Sequence, residues 1–215
     1  NVLAGSRAAV FSIAASLMCM IFALGSVSGA NFNPAVTTAI LFSGRDAISP
    51  VDAMCYIGTQ VCGGITAGFT YELMFRGQPK SSFPVGPRFG YTLIQAAVGE
   101  LIATFILAYV VLSVATVKQP LSEYFGLAIG MCVTAGGLAV GKLSGGSLNP
   151  AITIGASYAD ASIFTLSPLA YVGAELSAGV LAAVIFRHGT HSDEYDDGAS
   201  EASEETVSDE VSDDK

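Results

Sequence analysis

Residues 28–40 read SGANFNPAVTTAI, and residues 144–156 read SGGSLNPAITIGA. At a shift of 116, six of the thirteen positions are identical, among them Asn33/Asn149, Pro34/Pro150, Ala35/Ala151 and Thr37/Thr153. Each copy opens with small, turn-prone residues and closes on Asn-Pro-Ala followed by a short apolar run. Asparagine before a proline at the first helical position is a strong helix-start signal. The pattern predicts two short helices, about 34–42 and about 150–157, each entered from an irregular loop.

The rest of the chain says where such loops sit. It has 215 residues, is 52% hydrophobic and only 13% charged, and has a mean hydropathy of +0.58. Soluble domains carry roughly 25% charged residues, so this body cannot cover a water-facing surface. Disordered, collagen-like, disulfide-scaffold and ordinary soluble-enzyme classes are excluded together. The net charge of −9 belongs to the end of the chain. Residues 192–215 carry −10 and residues 1–191 carry +1. Cys19, Cys55, Cys62 and Cys132 lie in apolar stretches without metal-like spacing and read as small packing residues. No basic patch suggests nucleic acid. No catalytic constellation appears, and no cofactor or metal is expected.

A bilayer core needs about 20 mostly apolar residues per spanning helix. Five stretches qualify: about 8–29, 51–75, 91–117, 121–141 and 165–187. The two Asn-Pro-Ala segments are too short to cross. Irregular backbone at membrane depth is tolerated only buried in protein or lining a wet cavity. Paired interrupted segments mark a permeation or binding site near the midplane. Three spans separate the two copies, and an odd number puts the loops on opposite faces. The half-helices then dip in from both sides, with their N-termini converging. Each N-terminus presents partial positive charge and unpaired N–H groups. Such a device passes uncharged polar molecules and resists protons and cations, while the Asn33 and Asn149 amides donate to a passing oxygen.

The paired Asn-Pro-Ala motifs, the Tyr56-Ile57-Gly58-Thr59-Gln60 run, the stretch from Glu100 to Leu107 and Gly173 resemble the aquaporins, or major intrinsic proteins. The resemblance covers residues 1 to about 187. It implies an all-α membrane protein, a right-handed helix bundle with inverted repeats and two half-helices. It implies six spans, of which five are seen here, the first being absent. It implies a homotetramer with one pore per protomer, for water and small neutral solutes in a lipid bilayer. Residues 1–187 are then the channel domain and 188–215 a disordered, acidic tail, cytoplasmic as in the family. The positive-inside count of the loops votes the other way.

Carried over residue by residue, the resemblance places Asn33, Pro34, Ala35, Asn149, Pro150 and Ala151 in the pore. It places Gly137, Gly146 and Ile152 at three of four selectivity-filter positions, and makes Glu100 a buried support of the second loop. Asn31 reads as a brace of the first loop, and Glu175 as an interfacial residue near the start of the last span. Ile152 stands where the family has arginine, and Gly137 where water-specific members have histidine. A wider, more apolar constriction follows, suited to glycerol, urea or ammonia. Thr153 and the pair Ala170-Tyr171 do not follow the glycerol pattern. The tail serines Ser192, Ser203, Ser208 and Ser212 stand near acids and are candidate phosphorylation sites. Two alternatives stay open: a secondary transporter with inverted repeats, and a non-conducting membrane scaffold of the same fold.

Overall fold

The computed structural model describes residues 8–76, 85–120, 122–159 and 165–195. The tail serines Ser203, Ser208 and Ser212 lie outside the described residues. Seven α-helices run in order: α1 (Ala9–Ser28), α2 (Pro34–Phe42), α3 (Pro50–Met74), α4 (Leu93–Ala115), α5 (Phe125–Val140), α6 (Pro150–Ala159) and α7 (Leu166–Ile185). No strand occurs among the described residues. The architecture is an aquaporin-like membrane helix bundle.

Local chemistry sets the helix ends. Ser49 caps α3, its Oγ accepting from the Asp52 N–H at 3.1 Å, with Pro50 at the first position. Thr92 and Gln95 form a reciprocal capping box at the start of α4, with Gln95 N–H donating to Thr92 Oγ1 and Thr92 N–H to Gln95 Oε1. Gly29 ends α1 at φ +69°, in the left-handed region that glycine enters without a Cβ penalty.

α4 shows why these helices read as apolar on every face. Ala96, Glu100, Ala103, Leu107 and Val111 are buried against neighbouring helices. Ile94, Val98, Ile102 and Ile106, spaced by four, are exposed. Large aliphatic side chains in an exposed stripe suit a lipid-facing surface and not a water-facing one.

Three helical segments are long and apolar enough to cross a membrane, namely α1, α4 and Leu166–Thr190, which contains α7. The other two expected spans are occupied by α3 and α5. α3 has 25 residues but carries Asp52, Gln60 and Glu72. α5 has 16 residues, about 24 Å at 1.5 Å per residue, short of a ~30 Å hydrocarbon core.

The bundle repeats itself. α3 packs on α6 and α7 on α2, while α1 packs on α5. The α3–α6 and α7–α2 contacts each rest on a glycine. A Cβ at Gly64 of α3 would strike the Ala151 carbonyl of α6, and one at Gly179 of α7 would strike the Ala35 carbonyl of α2. Gly68 meets the Gly155 carbonyl in the same way one turn on. Small residues let helix backbones approach closely. α4 packs on α7, α5 and α2, and among the described residues it has no counterpart in the first half. α3 is correspondingly bare: Ala53 is its one buried residue, against seven in α7.

The start of the expected tail is also corrected. Residues 186–190 form a π-helical turn closed by His191 N–H donating to the Phe186 carbonyl, and 192–195 form a 3₁₀ turn. This segment docks on the bundle. Arg45 Nη2 lies 2.5 Å from Glu194 Oε2, which also accepts from the Lys118 N–H at 3.1 Å. Tyr195 Oη donates to the Ser43 carbonyl at 2.6 Å, and Arg45 lies 4.3 Å over the Tyr195 ring. The composition of 188–215 predicted solvation throughout, but its first acids include one with a positional partner, Arg45.

Candidate functional site

The two Asn-Pro-Ala loops meet at the centre. Each asparagine caps its own half-helix, with Asn33 Oδ1 accepting from Ala35 N–H and Asn149 Oδ1 from Ala151 N–H, both at 2.9 Å. Each also reaches across: Asn33 Nδ2 donates to the Leu148 carbonyl and Asn149 Nδ2 to the Phe32 carbonyl, again at 2.9 Å. The half-helix N-termini are thus cross-tied. Among the described residues, the second N–H of each amide has no protein partner. Pro34 and Pro150 occupy the first helical positions, where no N–H is needed, and Ala35 is wholly buried.

The loops share an unusual backbone. Gly29, Ala30 and Phe32 have φ of +69°, +50° and +48°, and their counterparts Gly145, Gly146 and Leu148 have +104°, +69° and +52°. Non-glycine residues in this region cost energy and persist where surroundings over-determine them. Phe32 and Leu148 are the residues whose carbonyls receive the opposite asparagine. Asn31 is half-buried in this turn, its side-chain oxygen near Gly29.

Glu100 is fully buried and anchors the second loop. Its Oε1 takes the Ser144 hydroxyl at 2.5 Å and the Ser147 N–H at 3.0 Å, and its Oε2 takes the Leu148 N–H at 2.8 Å. Glu175 is not interfacial, which corrects the sequence reading. It is 0% exposed, and Oε1 accepts from Asn149 N–H at 3.1 Å while Thr153 Oγ1 lies 2.9 Å away. Sequence position misled here because α7 starts at Leu166 and has completed more than two turns before reaching Glu175.

A second internal match, at a shift of 115, carried the missing signal. Tyr56, Gly58, Gln60 and Gly64 of α3 correspond to Tyr171, Gly173, Glu175 and Gly179 of α7. Both tyrosines donate to the serine that opens a loop, Tyr56 to the Ser28 carbonyl and Tyr171 to the Ser144 carbonyl. Gln60 Nε2 donates to Thr37 Oγ1 at 2.9 Å, as Glu175 partners Thr153.

Of the three filter candidates, Gly137 and Gly146 are together. A Cβ on Gly146 would lie 3.4 Å from the Gly137 Cα, while one on Gly137 would meet Val10 of α1 at 2.7 Å. Ile152 is 43% exposed on α6, which packs on α3, α7 and α2 but not on α5. Gly137 and Ile152 therefore belong to helices that do not touch.

The family model described as "Major intrinsic protein" matches residues 2–181 and 119–211. The chain is 37% identical over 139 residues to "Putative aquaporin NIP4-1" of Arabidopsis thaliana, covering 65% of this chain and 48% of that protein. It is 38% identical over 143 residues to "Aquaporin NIP1-1" of Zea mays, with 65% and 48% covered. It is 34% identical over 172 residues to "Nodulin-26" of Glycine max, with 76% and 60% covered. The chain spans about half the length of the first of these relatives. It belongs to the major intrinsic protein family, and is an integral membrane protein.

Proposed function

We propose that this protein is a passive transmembrane channel for water and small uncharged solutes. The carrying observation is the pair of half-helix N-termini held face to face by Asn33 and Asn149. Two converging positive ends repel cations and hydronium. The remaining N–H of each asparagine donates to a solute oxygen as it passes. Neither role needs a covalent step, and the chain acts as a conduit and not as an enzyme.

The filter reading goes further. Ile152 offers neither the charge nor the donors of an arginine, and Gly137 and Gly146, packed on each other, add no side chain beside it. The constriction is wide and apolar and admits glycerol, urea or ammonia alongside water. The likeness to proteins named aquaporin supports the general class, and Ile152 in place of arginine supports the breadth. A homotetramer, with the C-terminal tail facing the cytoplasm, belongs to the same reading.

Stopped-flow swelling of proteoliposomes holding the full-length protein tests it, with water, glycerol and urea as solutes. Ile152→Arg is expected to cut the glycerol-to-water ratio by about tenfold, the rate effect of ~1.4 kcal/mol. An unchanged ratio removes Ile152 from the filter. Strict water selectivity of the wild type overturns the wide-pore reading.

A further inference from the structure

The second loop carries no cation of its own. Residues 143–149 read LSGGSLN, and position 152, where an arginine would fix a positive charge, is isoleucine. A cation reaches this loop from another part of the chain, the connection that leads into α4.

Residues 85–91 fold against the opening turn of the second loop and the start of α7. Val85 is buried in a cluster with Ala96 of α4 and Tyr171 of α7. A Cβ on Gly86 would stand 3.4 Å from Ser167 Oγ of α7. The Arg88 N–H donates to the Leu143 carbonyl at 3.0 Å, and the Arg88 carbonyl accepts from the Tyr91 N–H at 3.0 Å. The main chain of Arg88 is pinned on both sides, and the residue is half-buried.

Its guanidinium lies along Gly145. Nη2, Cζ and Nε stand 3.0, 3.6 and 3.7 Å from where a Gly145 Cβ would be. Gly145 adjoins the filter candidate Gly146, and consecutive Cα atoms are about 3.8 Å apart. The charge therefore sits within about 8 Å of Gly146, one Debye length at physiological salt.

Holding the loop in shape does not require this cation. The first loop makes the same left-handed turn, and at Gly29, the repeat counterpart of Gly145, the side-chain atom alongside is Asn31 Oδ1 at 3.7 Å. Glu100 and Tyr171 already tie the second loop through Ser144, Ser147 and Leu148. What Arg88 adds is a group that stays charged at every physiological pH and has donors only. Lys142, the other basic residue beside this loop, is exposed.

We propose that Arg88 is a specificity-determining residue of the channel: held on the second loop by residues 85–91, its guanidinium supplies the fixed positive charge that position 152 lacks, and it keeps cations out of a mouth wide enough for glycerol. The proposal rests on the channel reading and adds to it where the charge barrier of this mouth lies.

The test uses the full-length protein in liposomes and reads the ratio of potassium to water permeability. Arg88→Gln is expected to raise that ratio about tenfold, the weight of one unit charge about 8 Å away at a dielectric between protein surface and bulk water. Arg88→Lys, which keeps the charge, should stay near the wild type, and so should Lys142→Gln. Adding Ile152→Arg to Arg88→Gln should bring the ratio back down. An unchanged ratio in Arg88→Gln, or an equal rise in Lys142→Gln, overturns the assignment. If Arg88→Gln does not fold, the wild type decides: its ratio should rise as added salt screens the guanidinium, and a flat ratio overturns the proposal. A wild type that conducts water while Arg88→Gln changes nothing sinks this proposal alone. A wild type that conducts neither water nor glycerol overturns the channel reading and this proposal with it.

Discussion

Removing the Glu100 carboxylate should loosen the second loop by a predictable amount. In Glu100→Ala, the Ser147 and Leu148 N–H groups, both donating to Glu100 from buried positions, lose their acceptor. Each orphaned buried donor costs about 1–3 kcal/mol, giving a gross loss of about 2–6 kcal/mol. Relaxation of the loop around the gap recovers part of this, so a net loss of about 1–4 kcal/mol is expected. Glu100→Leu should lose as much, because a side chain of similar bulk restores packing and returns no acceptor. Glu100→Gln keeps one acceptor oxygen and should fall between alanine and wild type. The assay is reversible unfolding of the full-length protein in mixed micelles, with the three variants side by side. The reasoning is refuted if Glu100→Leu recovers wild-type stability, since packing would then carry the effect. It is refuted equally if Glu100→Ala lies within about 0.5 kcal/mol of wild type, the range of an ordinary surface change.

Two further outcomes follow. Gly64→Ala and Gly179→Ala should each destabilise by about 1–3 kcal/mol in the same assay, because the new methyl meets backbone carbonyls that cannot swing away; a neutral effect at either site breaks the repeat-related packing argument. The docked segment at Glu194 should be lost in acid. Desolvation of Glu194 is outweighed by the Lys118 N–H and by Arg45, so its carboxyl lies below the usual carboxylate range. A depressed value means the contribution is present above the unfolded value of about 4.3 and disappears as pH falls through the folded one. Hydrogen exchange at residues 191–195 should rise as pH falls below the usual carboxylate range, and Glu194→Gln should show that exchange already at neutral pH.

Much of the bundle was legible because its signals are local. The short helices start at Pro34 and Pro150, where Asn-Pro-Ala places them, and α1, α3, α4 and α7 lie within a few residues of the apolar stretches that predicted them. Span length and apolarity were less legible. Glycine-rich stretches such as 121–141 are apolar beyond the helix they contain, and α5 covers only part of its stretch. Glu175 was misplaced for a different reason. Its depth depends on where α7 sits against α2, α4 and α6, and a linear count from the helix start carries no such information. The partner that explains it, Thr153, lies 22 positions away in sequence.

By itself the sequence determined that the chain is membrane-embedded, that its halves are copies, and that two half-helices begin at Pro34 and Pro150. These follow from composition, internal repetition and helix-start chemistry, all of which are written along the chain itself. Only the tertiary structure decided that each asparagine ties itself to the opposite loop, that Gly64 and Gly179 make equivalent crossings, and that Glu100 and Glu175 hold one loop from two helices. It also decided that residues 186–195 fold back on Arg45, Ser43 and Lys118. Such contacts join residues far apart in the chain, and their energies depend on distances of a few ångströms that only packing can set.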